Sequence, residues 1–469
     1  MGLRDAGLLL GITFPLVIAS CGDSEDHPAV SSTFGKGGSA GKGGSTSKGG
    51  SSSAGEAGAS PSDGGTGGEL PGGNGGQPAG EAGTPGSSSG GAAGGDGDAG
   101  AGGTGPVCGD ESLVGGILCF EEPYGITTET GTPIDVAFSQ WQGETGVDLA
   151  ILSSDGKLSW FGTHENGTFG IYTFLADVSG AAGVVLDAGR LDSGPGPDLI
   201  AGGDTSTTDI FFGTNAGDIT DTQFLVGEGT ATNLFVADLP GSPAGEDFVS
   251  VRDGYAVLHV TTGSTGAGWL DESVYLYSGY PLAGDTVLAE LGASSLHVAV
   301  SRLDQGSILS AQVIWGDTVT LGNATPTTIE GPASAFDVGD FDEDGSQDIV
   351  AALVGPTHLN VLFGDGEGGF KTFGSDSFKS VDAGPWLQDV KVGDFNGDGH
   401  DDIVASSRQN DSVVVIVGDG AGGFAAPVEV PLGAGADPSR LEVAELDEDG
   451  VDDIAVVTAS DLKIILSDP

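Results

Sequence analysis

From about residue 108 onward the chain alternates short apolar runs with turn residues, and no stretch spaces its apolar positions with a helical period. The runs are rich in β-branched residues, as in DVKVGDF, DIVASS and SVVVIVGDG, and Gly, Asp, Asn and Ser bound them. That is the signature of short strands joined by tight turns. Glycine-rich hairpins, FGDGEGGF at Phe363–Phe370 and VGDGAGGF at Val417–Phe424, separate a third strand from a fourth such as FAAPVEVPLG.

The strand pattern repeats. Three acidic loops end at Asp348, Asp402 and Asp453, spaced by 54 and 51 residues. Steps of about fifty residues back along the chain meet Asp247 in EDFVSV, Asp198 in PDLIAG and Asp148 in VDLAIL. The remaining step lands on His297 in LHVAV, where the pattern survives without its acid. Four antiparallel strands in each such period make a propeller blade. The expected fold is therefore all-β, a seven-bladed β-propeller of four-stranded blades. The last repeat reaches only its third strand at Leu462–Leu466, and CFEEPYGITTETG at Cys119–Gly131 reads as the missing fourth. An N-terminal strand completing the last blade leaves no open edge.

Composition divides the chain. Residues 31–106 are mostly Gly, Ser, Ala and Thr, and cannot bury enough apolar surface to offset the entropy of ordering. This disordered tether spans roughly 50 Å r.m.s. on a scaling of ~5.5 Å × √n. Ahead of it, Arg4 precedes an apolar run from Gly7 to Ala19, the length of a secretory signal core. Ile18-Ala19-Ser20-Cys21 resembles the lipobox of bacterial lipoproteins. The resemblance implies cleavage before Cys21 and lipidation of that residue, with Gly22 giving no inner-membrane retention signal. The expected organisation is a signal peptide at 1–20, a tether at 21–107 and the propeller at 108–469. With Cys21 acylated, Cys108 and Cys119 can pair in an oxidising compartment.

The charge is extreme: 14 Lys and Arg against 68 Asp and Glu give 14 − 68 = −54. Such a chain repels nucleic acid and anionic membrane surfaces and attracts cations. Many acids sit in loops of one form. Asp340, Asp342, Asp344 and Asp348 occupy positions 1, 3, 5 and 9 of the first, with Ser346 at position 7 as a backbone carbonyl donor. Asp394, Asn396, Asp398, His400 and Asp402 repeat the set, as do Glu445, Asp447, Asp449, Val451 and Asp453. Calcium takes six to eight oxygens, which alternate residues of a tight turn can supply. An EF-hand needs a glutamate at position 12, where these loops have Ala351, Ala405 and Val456.

The upstream blades carry fewer ligands. The first offers Gln140, Gln142, Glu144 and Asp148; the second has Arg190 at position 1; the third has Asp238 and Asp247 at an altered spacing. These loops are expected to hold their shape by packing alone. His27, His164, His259, His297, His358 and His400 show no metal-ligand spacing, and no nucleophile elbow or phosphate loop occurs. Trp160 and Trp315 lie in strand patterns and are expected in the core, and packing is also expected for Trp386.

The loops and hairpins resemble FG-GAP, or VCBS-type, repeats of bacterial surface proteins and the integrin α-subunit head, most strongly in the last three blades. The resemblance implies a calcium-braced, non-catalytic module for adhesion to protein or polysaccharide. The implied lipid anchor would place it in the outer membrane or at the cell surface, and a monomer is expected. Two alternatives stand beside it, a lyase or dehydratase built on such a propeller and a purely structural envelope protein.

Overall fold

The computed structural model describes most residues from 118 to 324, with short breaks, and every residue from 325 to 468. The signal segment, Cys21, the tether and Cys108 lie outside the described residues, as do Trp141, Gln142, Glu144, Asp238 and Trp315. Cys119 is disulfide-bonded.

Among the described residues there is no helix, and the strands form seven antiparallel sheets. Their innermost strands are Pro133–Ser139, Gly183–Gly189, Ala231–Ala237, Leu282–Gly292, Ala333–Gly339, Leu387–Gly393 and Leu441–Ala444, taken as blades one to seven. These strands touch in cyclic order, with the seventh meeting the first. The fourth blade departs from the plan, because Thr320–Leu321 and Thr325–Thr328 both pair with Ser307–Ile314. Closure follows the sequence expectation: Tyr124–Ile126 runs antiparallel to Leu462–Ile465, with Tyr124 opposite Ile464.

The middle strands are apolar on both faces because each face meets a different blade. In the sixth blade Ile403, Ala405 and Val414 pack toward the fifth. Their neighbours Val404, Val413 and Val415 pack toward the seventh. Strand side chains alternate sides, so a blade between two others reads as an unbroken apolar run. The ring closes through the same kind of layer, where Val136, Leu149, Ile151 and Phe161 meet Ala455, Val457, Leu462 and Ile464. Trp160, 8% exposed, lies in the layer between blades one and two, as expected. Trp386 does not pack and is 60% exposed. Its backbone is left-handed at φ 58°, and the next residue, Leu387, takes the buried face at the start of the inner strand.

The innermost strands carry a second device. Asp135 accepts the Leu186 amide of the following blade at 2.8 Å, and Asp187 likewise accepts Val236 at 2.6 Å. Asp285 accepts Phe336 at 2.7 Å, Asp337 accepts Val392 at 2.7 Å and Asp389 accepts Leu441 at 2.8 Å. Each carboxylate thus clasps one blade to the next around the central channel.

Burial, followed by the nearby Asp389 charge, pushes the Asp285 carboxyl up to about 7, while an unfolded aspartate titrates near 3.8. A carboxyl raised on folding stabilises the fold fully below the unfolded value and loses that contribution as pH rises through the folded one. In calcium-free buffer, melting temperature therefore falls from pH 5 to pH 8. In Asp285→Asn that slope flattens by roughly 2–4 kcal/mol of stability. Parallel slopes for the two proteins, measured by thermal melts across the range, would contradict this assignment.

Candidate functional site

Each acidic loop connects the innermost strand of its blade to the second. The last aspartate of each loop opens that second strand and is buried: Asp348, Asp402 and Asp453 are all 0% exposed. One oxygen serves the start of the turn and the other the end of the third strand beyond it. Asp402 accepts the Phe395 amide at 3.1 Å and, from the hairpin beyond, the Gly418 amide at 2.8 Å. Asp348 accepts Phe341 at 3.0 Å and Gly364 at 2.8 Å. Asp453 accepts Leu446 at 2.8 Å and Ser467 at 2.7 Å. The hairpin glycine is required by closeness, because a Cβ on Gly418 would lie 2.2 Å from the Asp401 carbonyl oxygen. Burial pushes Asp348 and Asp402 up to about 7 and Asp453 up to about 8.

This clamp corrects the reading of the upstream loops. In the second blade, where Arg190 stands at position 1, Asp198 still accepts Leu191 at 2.8 Å and Gly213 at 3.0 Å. That loop holds its shape by hydrogen bonds and not by packing alone. In the second blade the period persists without a full ligand set because its anchor residue is structural.

The remaining ligands converge unequally. In the fifth blade, oxygens of Asp340, Asp342 and Asp348 lie within 4.8 Å of one another. In the seventh, Glu445, Asp447 and Asp449 do so, without Asp453. The sixth-blade loop shows no such group of three acids. There the amide of Asn396 donates to Asp398 at 3.1 Å, and its oxygen accepts the Asp398 amide at 3.0 Å. Asp344 stands apart from its group, because Lys371 reaches it at 2.7 Å and Asp342 at 2.5 Å. The lysine holds the Asp344 carboxyl below its ordinary value. Asp449 is pushed up to about 6, by burial and then by Asp447.

Two further observations bear on metal fit. The Asp342 Oδ1 and Asp447 Oδ1 atoms, both at position 3, are buried without a hydrogen-bond partner. A buried carboxylate oxygen lacking a donor is costly, and a hard cation among all-oxygen ligands relieves that cost. The turn is also built alike in the three loops. Glycine at position 6 has φ of 86°, 83° and 87° at Gly345, Gly399 and Gly450, with open space where a Cβ would sit. Backbone conformation, not room, requires glycine there. Position 4 is left-handed too, at Glu343, Gly397 and Glu448. Ser346, His400 and Val451 donate their amides to Asp344 at 2.8 Å, Asp398 at 3.0 Å and Asp449 at 2.9 Å.

Sequence reading missed the bonds between loops. Position 8 of one loop reaches back to the preceding blade: Gln347 accepts the Glu290 amide, Asp401 that of Asp340 and Asp452 that of Asp394. The His400 ring also meets Glu343 of the fifth-blade loop. The repeat itself held the signal for position 8, a polar residue directly before each of the last three anchors, at Gln347, Asp401 and Asp452. A channel cavity of about 280 Å³ was missed as well, lined by the inner-strand acids together with Lys391, Arg440 and Glu442. Lys391 lies 3.0 Å from Glu442, and Arg440 donates to the Thr232 carbonyl at 3.3 Å.

Residues 340–405 and 394–456 match the family model for the FG-GAP-like repeat. A search of curated proteins found no match. Among solved structures, the chain is similar to BBS1N in its complex with ARL6DN, in lead-soaked and mercury-soaked crystals. For the lead-soaked crystal the identity is 13% and the TM-score 0.52, over 76% of this chain and 98% of that one. For the mercury-soaked crystal the values are 13% and 0.52, over 75% and 97%. Virginiamycin B lyase from Staphylococcus aureus matches at 10% identity and TM-score 0.49, over 75% of this chain and 99% of that one. The fold is a β-propeller carrying FG-GAP-like repeats.

Proposed function

We propose that this propeller is a non-catalytic binding module, braced by calcium in its last three acidic loops and displayed on a lipid-anchored tether. The observation that carries the reading is the pair of buried, unpartnered carboxylate oxygens at Asp342 and Asp447, in loops whose side-chain donors are mostly carboxylates. In each loop the ligands are Asp340, Asp342, Asp344 and Asp348; Asp394, Asn396, Asp398 and Asp402; and Glu445, Asp447, Asp449 and Asp453. The calcium is structural. It neutralises clustered acids so that each turn keeps its shape, leaving other loops free to contact a protein or polysaccharide. A neighbouring propeller fold was crystallised in complex with a protein partner, which agrees with this use of the scaffold.

The channel bears on the enzyme alternative, because Arg440, Lys391 and six carboxyl groups line it. Five of those carboxylates accept amides from the following blade, so they are committed to holding the ring. Their arrangement favours a scaffold over a catalyst. The chain exported through its signal segment, acylated at Cys21 and closed by a Cys108–Cys119 bridge would present residues 108–469 at the outer membrane or cell surface.

Glycan and protein arrays probed with the purified chain test the binding role. The expected result is a defined set of ligands retained in calcium and weakened in chelator. Uniformly blank arrays in calcium would favour a purely structural envelope role.

A further inference from the structure

We propose that the acidic loops load calcium in a fixed order, seventh before fifth, because Lys371 is a tethered cation already seated in the fifth. This rests on the calcium reading above. The Lys371 ammonium lies 2.5 Å from Asp342 and 2.7 Å from Asp344, the ligands at positions 3 and 5. Its backbone is fixed, since its amide donates to the Phe363 carbonyl at 2.8 Å across the glycine-rich hairpin. The ammonium therefore springs from an anchored point beside the loop and does not arrive by chance from a mobile surface.

The same register position recurs in the next two blades. The Ala425 amide donates to Val417 at 2.8 Å, and the Glu121 amide donates to Leu466 at 2.9 Å. The bridges Gly364–Phe370 and Gly418–Phe424 within two hairpins, and Phe120–Ser467 across the ring closure, align the three positions. One position thus carries a cation, a methyl group and an anion in turn. The fifth loop has four ligand carboxylates and one bonded ammonium, −4 + 1 = −3. The sixth has three carboxylates and the Asn396 amide, −3. The seventh has four ligand carboxylates, formally −4, with Glu121 of the ring-closing segment at the matching position.

The ammonium holds the Oδ2 atoms of Asp342 and Asp344, so calcium, which needs oxygens at 2.3–2.6 Å, would meet their remaining oxygens beside a fixed positive charge. Binding in the fifth loop therefore works against a like charge, or displaces it by breaking two charge-assisted hydrogen bonds. The sixth pays no such cost but has one carboxylate fewer. The seventh has a full set and no competitor, so it fills first and the fifth last.

Calcium titration of the chelator-stripped chain by calorimetry tests this. Wild type is expected to bind in more than one affinity class. In Lys371→Ala the weakest class tightens about ten-fold, the scale set by removing one competing, partly shielded charge. Lys371→Arg keeps the charge and stays weak, and Asp447→Asn abolishes the tightest class. Circular dichroism confirms that each variant is folded. If calcium binds and the Lys371→Ala isotherm superimposes on wild type, the ordering is overturned while the calcium reading stands. Loss of the weakest class in Asp447→Asn would also overturn it. An absence of calcium binding in every protein overturns both.

Discussion

Asp402→Ala will lower stability by about 3–5 kcal/mol, because it strips the acceptor from two buried amides at once, each costing ~1–3 kcal/mol. The amides are those of Phe395, at the start of the turn, and Gly418, in the hairpin beyond the third strand. Phe395 is itself fully buried among residues of blades six and seven, so a loosened turn also loosens that layer. At roughly 2–4 °C per kcal/mol for a domain of a few hundred residues, the melting temperature falls by about 10 °C. Asp402→Asn keeps one acceptor oxygen and should lose about half as much. The informative condition is excess chelator. A clamp made of hydrogen bonds leaves the deficit in place there, whereas a deficit that vanishes without calcium would reduce Asp402 to a metal ligand.

The second large effect is calcium removal. At 1 mM calcium, a site with dissociation constant near 10⁻⁴ M adds about 1.4 kcal/mol of stability by mass action. Two or three loaded loops add roughly 3–4 kcal/mol together, and chelation should lower the melting temperature by about 5–10 °C. The effect should be largest in blades five and seven, where position 3 leaves Asp342 Oδ1 and Asp447 Oδ1 unpartnered. In Asp342→Asn, Asp447→Asn and the double variant the chelator-induced shift should shrink stepwise. A melting curve indifferent to chelator in wild type would remove the metal from the account, although the amide clamps would still explain the loops.

The two effects separate roles that the sequence presents as one. Asp348, Asp402 and Asp453 look like the last members of ligand sets, yet each already serves two amides. Asp198 does the same where Arg190 argues against a metal. The evenly spaced aspartates are thus first a folding device.

Strand class, repeat length and the acidic turns were legible in the chain because each depends on neighbours in sequence, and the ring closure was legible because the last repeat stops one strand short. Apolar alternation, left-handed glycines and oxygen ligands two residues apart are local requirements, and local requirements leave local patterns. What only the tertiary structure decided joins residues about fifty positions apart or more. Asp285 bonding to Phe336, Asp401 to Asp340 and Asp389 to Leu441 each link one blade to another. Glu121 and Lys371 share one register although one lies in the ring-closing segment and the other in the fifth-blade hairpin. Trp386 faces outward because a left-handed residue precedes a buried leucine, a choice of side that composition does not encode. The sequence set the blades; the packing of blade on blade decided which acids clasp the ring, which await a cation and which one already holds a lysine.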